Sequence, residues 1–326
     1  MDRSKRRSRM KRQKRGKRLA LTPRDLNIFI LLERYRYLRS TFIHAFVGGR
    51  SVTRFKERLG NLYHEGGYLN RPERQWETAH SRYLPVVYEN ADLAGNILAE
   101  DGLLEPAVPH MPYGASGEGR QFSHSLMICE TLASIELQTI GRPDVRFVAW
   151  PEILAKAPEA TRHSIFPLRF PIPCSSPDQH NKGIPYRGYI VPDAVFGLEY
   201  LIGASKYYRF FALEADRGTM PIVRAKAGQS TYLAKLSLYE ELLATGALRS
   251  HLGIPNLLVL TVTASEGRKR HIMSALSKRT GEHAPFLFSV ATRKLPYEDG
   301  CPPESLSREP WQRIDHAPLD ILDAGV

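Results

Sequence analysis

One stretch near the middle of the chain, residues 188–220, constrains the fold more than any other. It contains two apolar, β-branched and aromatic runs, Tyr189–Leu198 and Tyr207–Leu213, on either side of a loop that holds the turn residues Gly203 and Ser205. Runs of this composition separated by a short loop predict two adjacent strands. The sequence therefore predicts a β-hairpin around which the rest of the chain is organised.

Three carboxylates lie at one end of this predicted hairpin. Asp193 stands near the start of the first run, and Glu214 and Asp216 end the second. Residues two apart on a strand point to the same face, so Glu214 and Asp216 project together, and Asp193 joins them if it lies opposite on the neighbouring strand. Hard cations such as Mg²⁺ prefer oxygen ligands of this kind. The three acids are therefore a candidate metal site; the alternative is that they only solvate strand ends and form turns.

These residues resemble the PD-(D/E)XK nuclease superfamily, in which an Asp and an E-x-K triplet on adjacent strands hold the metal. The chain is more closely similar to the replication-relaxation family of plasmid and mobile-element proteins. That family pairs an N-terminal winged helix with a C-terminal domain that carries PD…E-x-D-x-G-T. The matching segments here are Val191–Asp193, Leu213–Thr219 and the pair Lys235 and Tyr239 on the following helix.

The resemblance implies a role in plasmid or mobile-element replication and DNA relaxation or mobilisation. It implies double-stranded DNA as a partner, with a plasmid replication initiator or a relaxase as a further one. One departure matters, because Asp216 stands where the nuclease pattern has a Lys that would stabilise the charge developing on phosphate. In some nuclease-like families this Lys lies on the following helix, so Lys235 is the natural substitute; an exposed helical Lys is the alternative. The implied catalytic set is Asp193, Glu214, Asp216 and Lys235, with Mg²⁺ as the cofactor.

Positive charge is concentrated at the N-terminus. Residues 1–18 carry eleven Lys or Arg and one acid, a net charge of +10 out of +12 for the whole chain. Such a block cannot bury apolar surface, so residues 1–20 are predicted to be a disordered basic arm until they meet a polyanion. The alternatives are attachment to an anionic membrane and a plain solubility tail. Nucleic acid is favoured, since the arm has no amphipathic apolar face and no lipidation signal.

Residues 21–104 carry the pattern of a winged helix-turn-helix domain. Thr22 and Pro23 predict a helix start, a short second helix begins at Ser40, and a third covers Ser51–Glu65. Val52, Phe55, Leu59 and Leu62 recur on the third helix at helical spacing and are predicted to face the core.

The opposite side of this third helix carries the residue types that contact bases and phosphates in a major groove: Arg50, Thr53, Arg54, Glu57, Arg58 and Asn61. Duplex DNA is the expected ligand of this face. A solvated basic face, or a module that docks another protein, is the alternative. The charged stretch 70–82 between two short strands is the expected wing.

The remaining chain predicts a second domain. Residues 105–121 are rich in Pro and Gly and form the predicted linker. Helices and strands then alternate over residues 122–296, which predicts a mixed sheet flanked by helices. The expected fold class is α+β or α/β, an N-terminal winged helix-turn-helix followed by a mixed-sheet, restriction-endonuclease-like domain. Glu130, on the first helix of that domain, is either a fourth metal ligand or a salt-bridged acid. The Pro-rich residues 297–326 are predicted to be a flexible tail.

Several function classes have no support in the sequence. No apolar run approaches the ~20 residues of a membrane span, and no apolar segment follows the arm as it would in a signal peptide. The three cysteines are isolated, which indicates a reducing compartment and makes the cytoplasm the expected location. There is no His-hydrophobic-His pair for a tyrosine relaxase, and no phosphate-binding glycine loop for ATP or dinucleotide chemistry.

Two functions remain. The first is a DNA-binding accessory protein for plasmid replication or strand relaxation, whose C-terminal domain binds DNA or partners without cutting. The second is a Mg²⁺-dependent endonuclease or nickase, in which the three carboxylates hold the metal that activates water and Lys235 stabilises charge. The sequence feature that separates them is the lysine missing from position 216.

Overall fold

The computed structural model describes residues 7–77, 83–103, 120–172, 188–223, 231–279, 281, 283–291 and 309–324. Residues 105–119 of the predicted linker, the first six residues, the outer part of the expected wing and the first part of the predicted tail lie outside these ranges, as do Cys174 and Cys301. The chain divides into two compact units. Unit 1 comprises Met1–Val108, Ser116–Leu137 and Arg293–Pro303, and unit 2 comprises Pro109–Ala115, Gln138–Thr292 and Glu304–Val326.

Unit 1 contains five α-helices and three short strands among its described residues. In chain order they are α1 (Pro23–Tyr35), β1 (Leu38–Arg39), α2 (Ser40–Val47), α3 (Val52–Asn61), β2 (Leu69–Asn70), β3 (Val87–Asn90), α4 (Asp92–Glu100) and α5 (Arg120–Thr139). The strands form a sheet in the order β1-β3-β2, with both pairs antiparallel. A π-helical turn, Leu62–Gly66, extends α3.

The helix starts in unit 1 follow from local chemistry. Pro23 occupies the first position of α1, where its missing N–H is not needed, and Asp25 accepts a hydrogen bond of 2.7 Å from the Thr22 backbone N–H. Ser51 caps α3 by accepting from the Arg54 N–H at 3.3 Å. Both starts were predicted from the sequence, and both are confirmed.

The apolar stripe of α3 is shorter than the sequence pattern predicts. Phe55, Leu59 and Leu62 are buried as expected, with exposures of 3%, 0% and 0%. Val52 is 48% exposed, so the prediction that it faces the core is wrong. Val52 is the first residue of the helix, and helical spacing cannot tell whether a neighbour covers that turn.

Helix α5 is grouped through Leu137 with unit 1, whereas the sequence pattern placed it at the start of the second domain. Its Glu130 forms an ion pair with Arg39 of β1, with both side chains largely buried. Its buried Cys129 donates a hydrogen bond from Sγ to the Tyr35 carbonyl at 2.7 Å. Glu130 therefore takes the salt-bridged role rather than that of a fourth metal ligand.

Unit 2 is built on a five-stranded mixed sheet. Its elements are β4 (Val145–Val148), α6 (Trp150–Ala155), α7 (Glu159–Arg162), β5 (Phe170–Pro171), β6 (Tyr189–Ile190), β7 (Ala194–Ile202), β8 (Ser205–Asp216), α8 (Tyr232–Ala244), α9 (Ala247–Leu252), β9 (Leu258–Thr263), α10 (Glu266–Leu276) and β10 (Phe286–Val290). The order is β10-β9-β8-β7-β4, with β8, β9 and β10 parallel to one another and the β7 and β4 pairings antiparallel. The predicted mixed sheet with flanking helices is confirmed.

The central hairpin is confirmed with different bounds, because Tyr189–Ile190 form the separate strand β6, paired with β5, and β7 begins only at Ala194. Strands β7 and β8 pair from Ala194 opposite Leu213 to Ile202 opposite Ser205, so Ser205 belongs to a strand rather than to the loop. Gly203 occupies the turn with a φ of 60°, a conformation that costs Gly little. The register continues by one residue to place Asp193 opposite Glu214, and the Asp193 N–H donates to the Leu213 carbonyl at 3.1 Å.

The C-terminal segment packs onto unit 2 where the structure describes it. Trp311 and Ile321 are each 1% exposed. Tyr200 of β7 donates from its hydroxyl to the Ile321 carbonyl at 2.6 Å, and Gln312 exchanges backbone hydrogen bonds with Phe288 of β10. Residues 309–324 thus differ from the flexible tail that the Pro-rich sequence predicts, because a few large apolar side chains anchor them to the sheet.

Candidate functional site

Glu214 lies at the centre of the predicted site and is 2% exposed. Strand β8 carries it, and α8 supplies both partners of its carboxylate. The Lys235 ammonium donates to Oε2, and the Tyr239 hydroxyl donates to Oε1 at 2.5 Å. Lys235 and Tyr239 stand four residues apart and so share one face of the helix. Helix α8 therefore supplies a cation and a hydroxyl to one buried acid.

Asp193 joins this group from the opposite strand. Its Oδ1 lies 4.0 Å from Lys235 Nζ, while its Oδ2 accepts a hydrogen bond of 2.8 Å from the Ala215 N–H. Asp193 and Glu214 therefore share one ammonium. The structure thus brings together three of the predicted residues, Asp193, Glu214 and Lys235.

Asp216 lies on the same face of β8 as Glu214, but its contacts are different. Arg268, in the first turn of α10, donates from Nε to Oδ2 at 2.6 Å and from Nη2 to Oδ1 at 3.2 Å. The Gly218 N–H also donates to Oδ1, at 3.1 Å. The same guanidinium donates to the Met220 carbonyl at 2.6 Å, so it ties the loop after β8 to α10. A bidentate Arg–carboxylate pair of this kind fixes geometry as well as charge.

Burial and charge act together on the titratable groups around Glu214. Burial raises the pKa of Glu214 to about 7, although the Lys235 charge opposes this shift. Burial opposes the charge of Lys235, but the carboxylates of Glu214 and Asp193 outweigh it and raise the pKa of the lysine. Burial and the Glu214 charge also raise the pKa of Tyr239 well above its usual value, which keeps its hydroxyl a donor.

The cluster does not fit a divalent cation as it is arranged. Both oxygens of Glu214 and both oxygens of Asp216 already accept from protein donors, two of which are cationic side chains. A metal would have to displace an ammonium and a guanidinium to reach them. Within the described ranges, no group of three His, Cys, Asp or Glu side chains is placed to hold a metal ion. Lys235 and Arg268 supply the positive charge that a metal would bring.

The other predicted site, on α3, presents an exposed polar face. Arg50, Thr53, Arg54 and Glu57 are all exposed, while Phe55 anchors the same turn of the helix in the core. Four of the six predicted DNA-contacting residues are therefore available to a partner. Lys56 is exposed beside them.

The last two predicted residues of that face make internal contacts instead. Arg58 forms an ion pair with Asp25, which is fully buried, and it also donates to the Ala20 carbonyl at 2.6 Å. Although burial opposes it, hydrogen bonding from Arg58 and Thr22 lowers the pKa of Asp25. Asn61 is 8% exposed, and its Oδ1 accepts from Arg7 at 2.6 Å. The prediction that Arg58 and Asn61 face a ligand is therefore corrected, because folding supplies each with a partner from a distant part of the chain.

Two functional candidates were missed by reasoning from the sequence. Arg268 was not predicted to belong to the site, because nothing local links it to Asp216, 52 positions away. Arg24 is exposed on α1, and its guanidinium lies so near Gly49 that an added Cβ there would meet Nη1 at 3.3 Å. Arg24 thus stands beside the turn that leads into α3.

Comparison with protein-family models identifies the chain. The model described as replication-relaxation matches residues 29–257, more than half of the chain. The protein belongs to the replication-relaxation family. The matched range contains α3, the hairpin, Lys235 and Tyr239, but it ends before Arg268. The resemblance stated from the PD and E-x-D-x-G-T residues is thereby confirmed at the level of the family. No curated protein and no solved structure matches the chain.

The described secondary structure combines helices with a mixed sheet, which is the α+β class that the sequence predicts. Among the helices in the described ranges, none combines the length and the apolar composition needed to cross a membrane.

Proposed function

We propose that this member of the replication-relaxation family is a DNA-binding accessory protein in the replication and relaxation or mobilisation of a plasmid or other mobile element. Unit 1 is its DNA-binding domain, a winged helix in which α3 enters the major groove. The observation that carries the proposal is an exposed polar surface, formed by Arg50 in the turn before α3 and by Thr53, Arg54 and Glu57 on the helix that Phe55 and Leu59 anchor.

The arrangement around α3 supports this role. Two helices and a β-strand precede α3, and a three-stranded antiparallel sheet holds the chain on either side of the expected wing. Arg and Thr side chains on an exposed helix can contact base edges and phosphates, and such contacts set both affinity and register. Arg24, beside the turn before α3, adds a cation where a groove-bound helix passes the DNA backbone.

Unit 2 is a nuclease-like scaffold that binds a protein partner, such as a replication initiator or relaxase, without cutting. The support is the internal neutralisation of its acids, since Lys235 pairs with Glu214 and Arg268 pairs with Asp216. A cluster whose charges are satisfied within the fold has a structural reason to exist that does not require a substrate.

The test of the first half is DNA binding by the full-length protein. Fluorescence anisotropy with labelled duplexes from plasmid origin regions, and with duplexes of arbitrary sequence, measures affinity and specificity separately. The double variant Thr53→Ala/Arg54→Ala removes two exposed groups of α3. We expect it to weaken binding by roughly tenfold or more, because one good base contact is worth ~1–3 kcal/mol.

The matched control is Arg270→Ala, which removes an exposed Arg from α10 of unit 2. We expect this variant to bind DNA as the wild type does. The proposal for unit 1 fails if the wild type binds no duplex, or if the α3 variant binds as tightly as the control.

A metal-dependent endonuclease is the second candidate, and one observation favours it: Asp193, Glu214 and Lys235 converge at one end of the hairpin. Incubation of supercoiled plasmid with Mg²⁺ or Mn²⁺, followed by electrophoresis, separates the two candidates. Nicking by the wild type that Glu214→Gln abolishes would establish the enzyme. Intact plasmid, together with no heat of Mg²⁺ binding in calorimetry, is the result that the accessory role predicts.

A further inference from the structure

The basic arm is docked against unit 1 over the residues that the structure describes. Glu65, in the π-helical turn after α3, is the main anchor. It accepts from the Arg15 N–H at 3.0 and 3.2 Å and forms an ion pair of 2.8 Å with Arg7. Hydrogen bonding from the Arg15 backbone, together with the Arg7 charge, lowers the pKa of Glu65. This differs from the disordered arm that composition predicts.

Further contacts hold the first part of the arm. The Gln13 N–H donates to Nδ1 of the buried His64 at 3.1 Å, and the Tyr63 hydroxyl donates to the Met10 carbonyl at 3.3 Å. Arg12 donates to the Leu69 carbonyl at 3.0 Å. Most of these bonds involve the arm's backbone, so they hold it without using its lysine side chains.

The docked arm runs along the second half of the α3 face. Arg54, Arg58, Asn61 and Glu65 are three or four residues apart and so follow one side of the helix and its π-helical extension. Ala20 of the arm accepts from Arg58, Arg7 donates to Asn61, and Arg15 donates to Glu65. Only the first part of this side, at Arg54, is left exposed by the arm.

The docked arm carries exposed cations next to the polar side chains that it contacts. Lys11, Lys14, Lys17 and Arg18 are all exposed. Lys17 and Arg18 lie between the arm residue that contacts Glu65 and the one that contacts Arg58. Lys11 and Lys14 lie on either side of the two arm residues that contact His64 and β2. From Lys11 to Arg18 the chain reaches at most about 23 Å, a length over which duplex DNA presents a phosphate charge every ~1.7 Å.

We propose that the docked arm is a fixed phosphate-binding ridge that continues the exposed face of α3 toward β2, and that its ligand is the backbone of duplex DNA. This inference rests on the proposed DNA-binding function. It adds that the docked arm supplies much of the affinity for the DNA backbone. Four phosphate contacts would contribute a slope of about −3.6 to the dependence of log affinity on log salt. Base reading is then confined to the first turns of α3, at Arg50, Thr53, Arg54 and Glu57.

The test uses Glu65→Ala in the full-length protein. This variant removes a negative charge from a DNA-binding surface, so simple electrostatics predicts tighter binding. The fixed ridge predicts the opposite, a loss of roughly three- to tenfold, because a loose arm must be ordered again on binding. The measurement is fluorescence anisotropy with a short labelled duplex of arbitrary sequence over a range of salt concentrations.

Glu100→Ala is the matched control, since it removes an exposed acid from α4 of the same unit. Tyr63→Phe is the milder second variant, which removes only the hydroxyl bonded to Met10 and leaves the charge unchanged; we expect a smaller loss in the same direction. Limited trypsin digestion reports docking without DNA, and we expect Glu65→Ala to be cut in the arm several-fold faster than the wild type or the control.

The outcomes separate this inference from the proposed function. If the wild type binds DNA but Glu65→Ala binds as tightly as Glu100→Ala, or more tightly, the ridge is refuted and the DNA-binding role of α3 stands. Equal rates of arm cleavage in the wild type and Glu65→Ala refute the docking itself. If the wild type binds no duplex, the proposed function and the ridge both fail, whatever the digestion shows.

Discussion

The α3 face of unit 1 and the carboxylate cluster of unit 2 both concentrate charged side chains, but they treat those charges in opposite ways. Arg50, just before α3, and Arg54, on the helix, are exposed. In unit 2, Glu214 and Asp216 are 2% and 5% exposed, and each is paired with a cation from a helix. One region leaves its charge available to a partner, and the other satisfies its charge within the fold.

This difference indicates what each region contributes. Exposed cations add little to stability, because water already solvates them, but they attract a polyanion and contact it. Buried ion pairs contribute little net stability as pairs, yet removing one member leaves an unpaired charge in a medium that solvates it poorly. Substitutions in unit 2 should therefore act on folding, and substitutions on the exposed part of α3 should act on binding.

The largest effect is expected from Lys235→Met, which leaves Glu214 buried without its cation. We expect a loss of about 3–5 kcal/mol in the free energy of unfolding at pH ~8, measured by chemical denaturation. Lys206→Met is the control, because that lysine is 59% exposed in its pair with Glu199, and we expect it to cost less than ~1 kcal/mol. Similar small losses for both variants would contradict a structural role for Lys235.

The pH dependence of stability is the next test, and its sign follows from Glu214. Burial raises the pKa of the Glu214 carboxyl to about 7 in the folded protein, above its value in the unfolded chain. Its contribution to stability is therefore complete below the unfolded pKa and is lost as the pH rises to 7. Relative to Glu214→Gln, the wild type should therefore lose a few kcal/mol between pH ~5 and ~8. A wild-type curve parallel to that of the variant would show that Glu214 does not titrate in this range.

A comparison within one helix isolates the role of exposure. Arg54 and Arg58 are one turn apart, but only Arg58 pairs with the buried Asp25. We expect Arg58→Ala to cost roughly 2 kcal/mol of stability, because Asp25 loses a charged partner, and Arg54→Ala to stay within ~0.5 kcal/mol. Thermal melting measures both variants. Equal destabilisation by the two substitutions would contradict the burial that distinguishes them.

The smallest effect is expected from Val52→Ala, which tests the corrected boundary of the α3 stripe. Val52 is 48% exposed, so we expect a change within ~0.5 kcal/mol in the free energy of unfolding. Leu59→Ala, at a fully buried position of the same helix, should cost about 2–5 kcal/mol. A large loss of unfolding free energy in Val52→Ala would instead indicate that Val52 packs in the core, as the helical spacing predicted.

The elements that local patterns specify can be predicted from the sequence. The hairpin, α3 and the mixed sheet follow from apolar runs, helical spacing and turn residues, all of which act over a few positions. The placement of Asp193 beside Glu214 was predicted only on the condition that the two strands pair in the right register, and the structure supplies that register. Lys235 was assigned to the cluster through the family resemblance, and the structure brings it to both acids.

Two segments have a fixed structure that their composition does not predict. The arm is strongly basic and the C-terminal segment is rich in Pro, so both were expected to lack a fixed structure. Glu65 anchors the first, and Trp311 and Ile321 anchor the second. The energy of docking a segment depends on a few specific contacts. A single well-placed acid or a pair of large apolar side chains can therefore order a segment whose average composition predicts disorder.

The sequence by itself determined where helices and strands form and which family the chain resembles, since those signals are local or are carried by short motifs. Only the tertiary structure decided which charges are satisfied. Arg54 and Arg58 are both arginines on the same helix, yet only Arg58 forms an ion pair with a buried acid. Asp216 likewise pairs with Arg268, which is 52 positions away in the sequence. Whether a charge is paired depends on which element packs beside it, and an ion pair between distant segments leaves no periodic trace in the sequence.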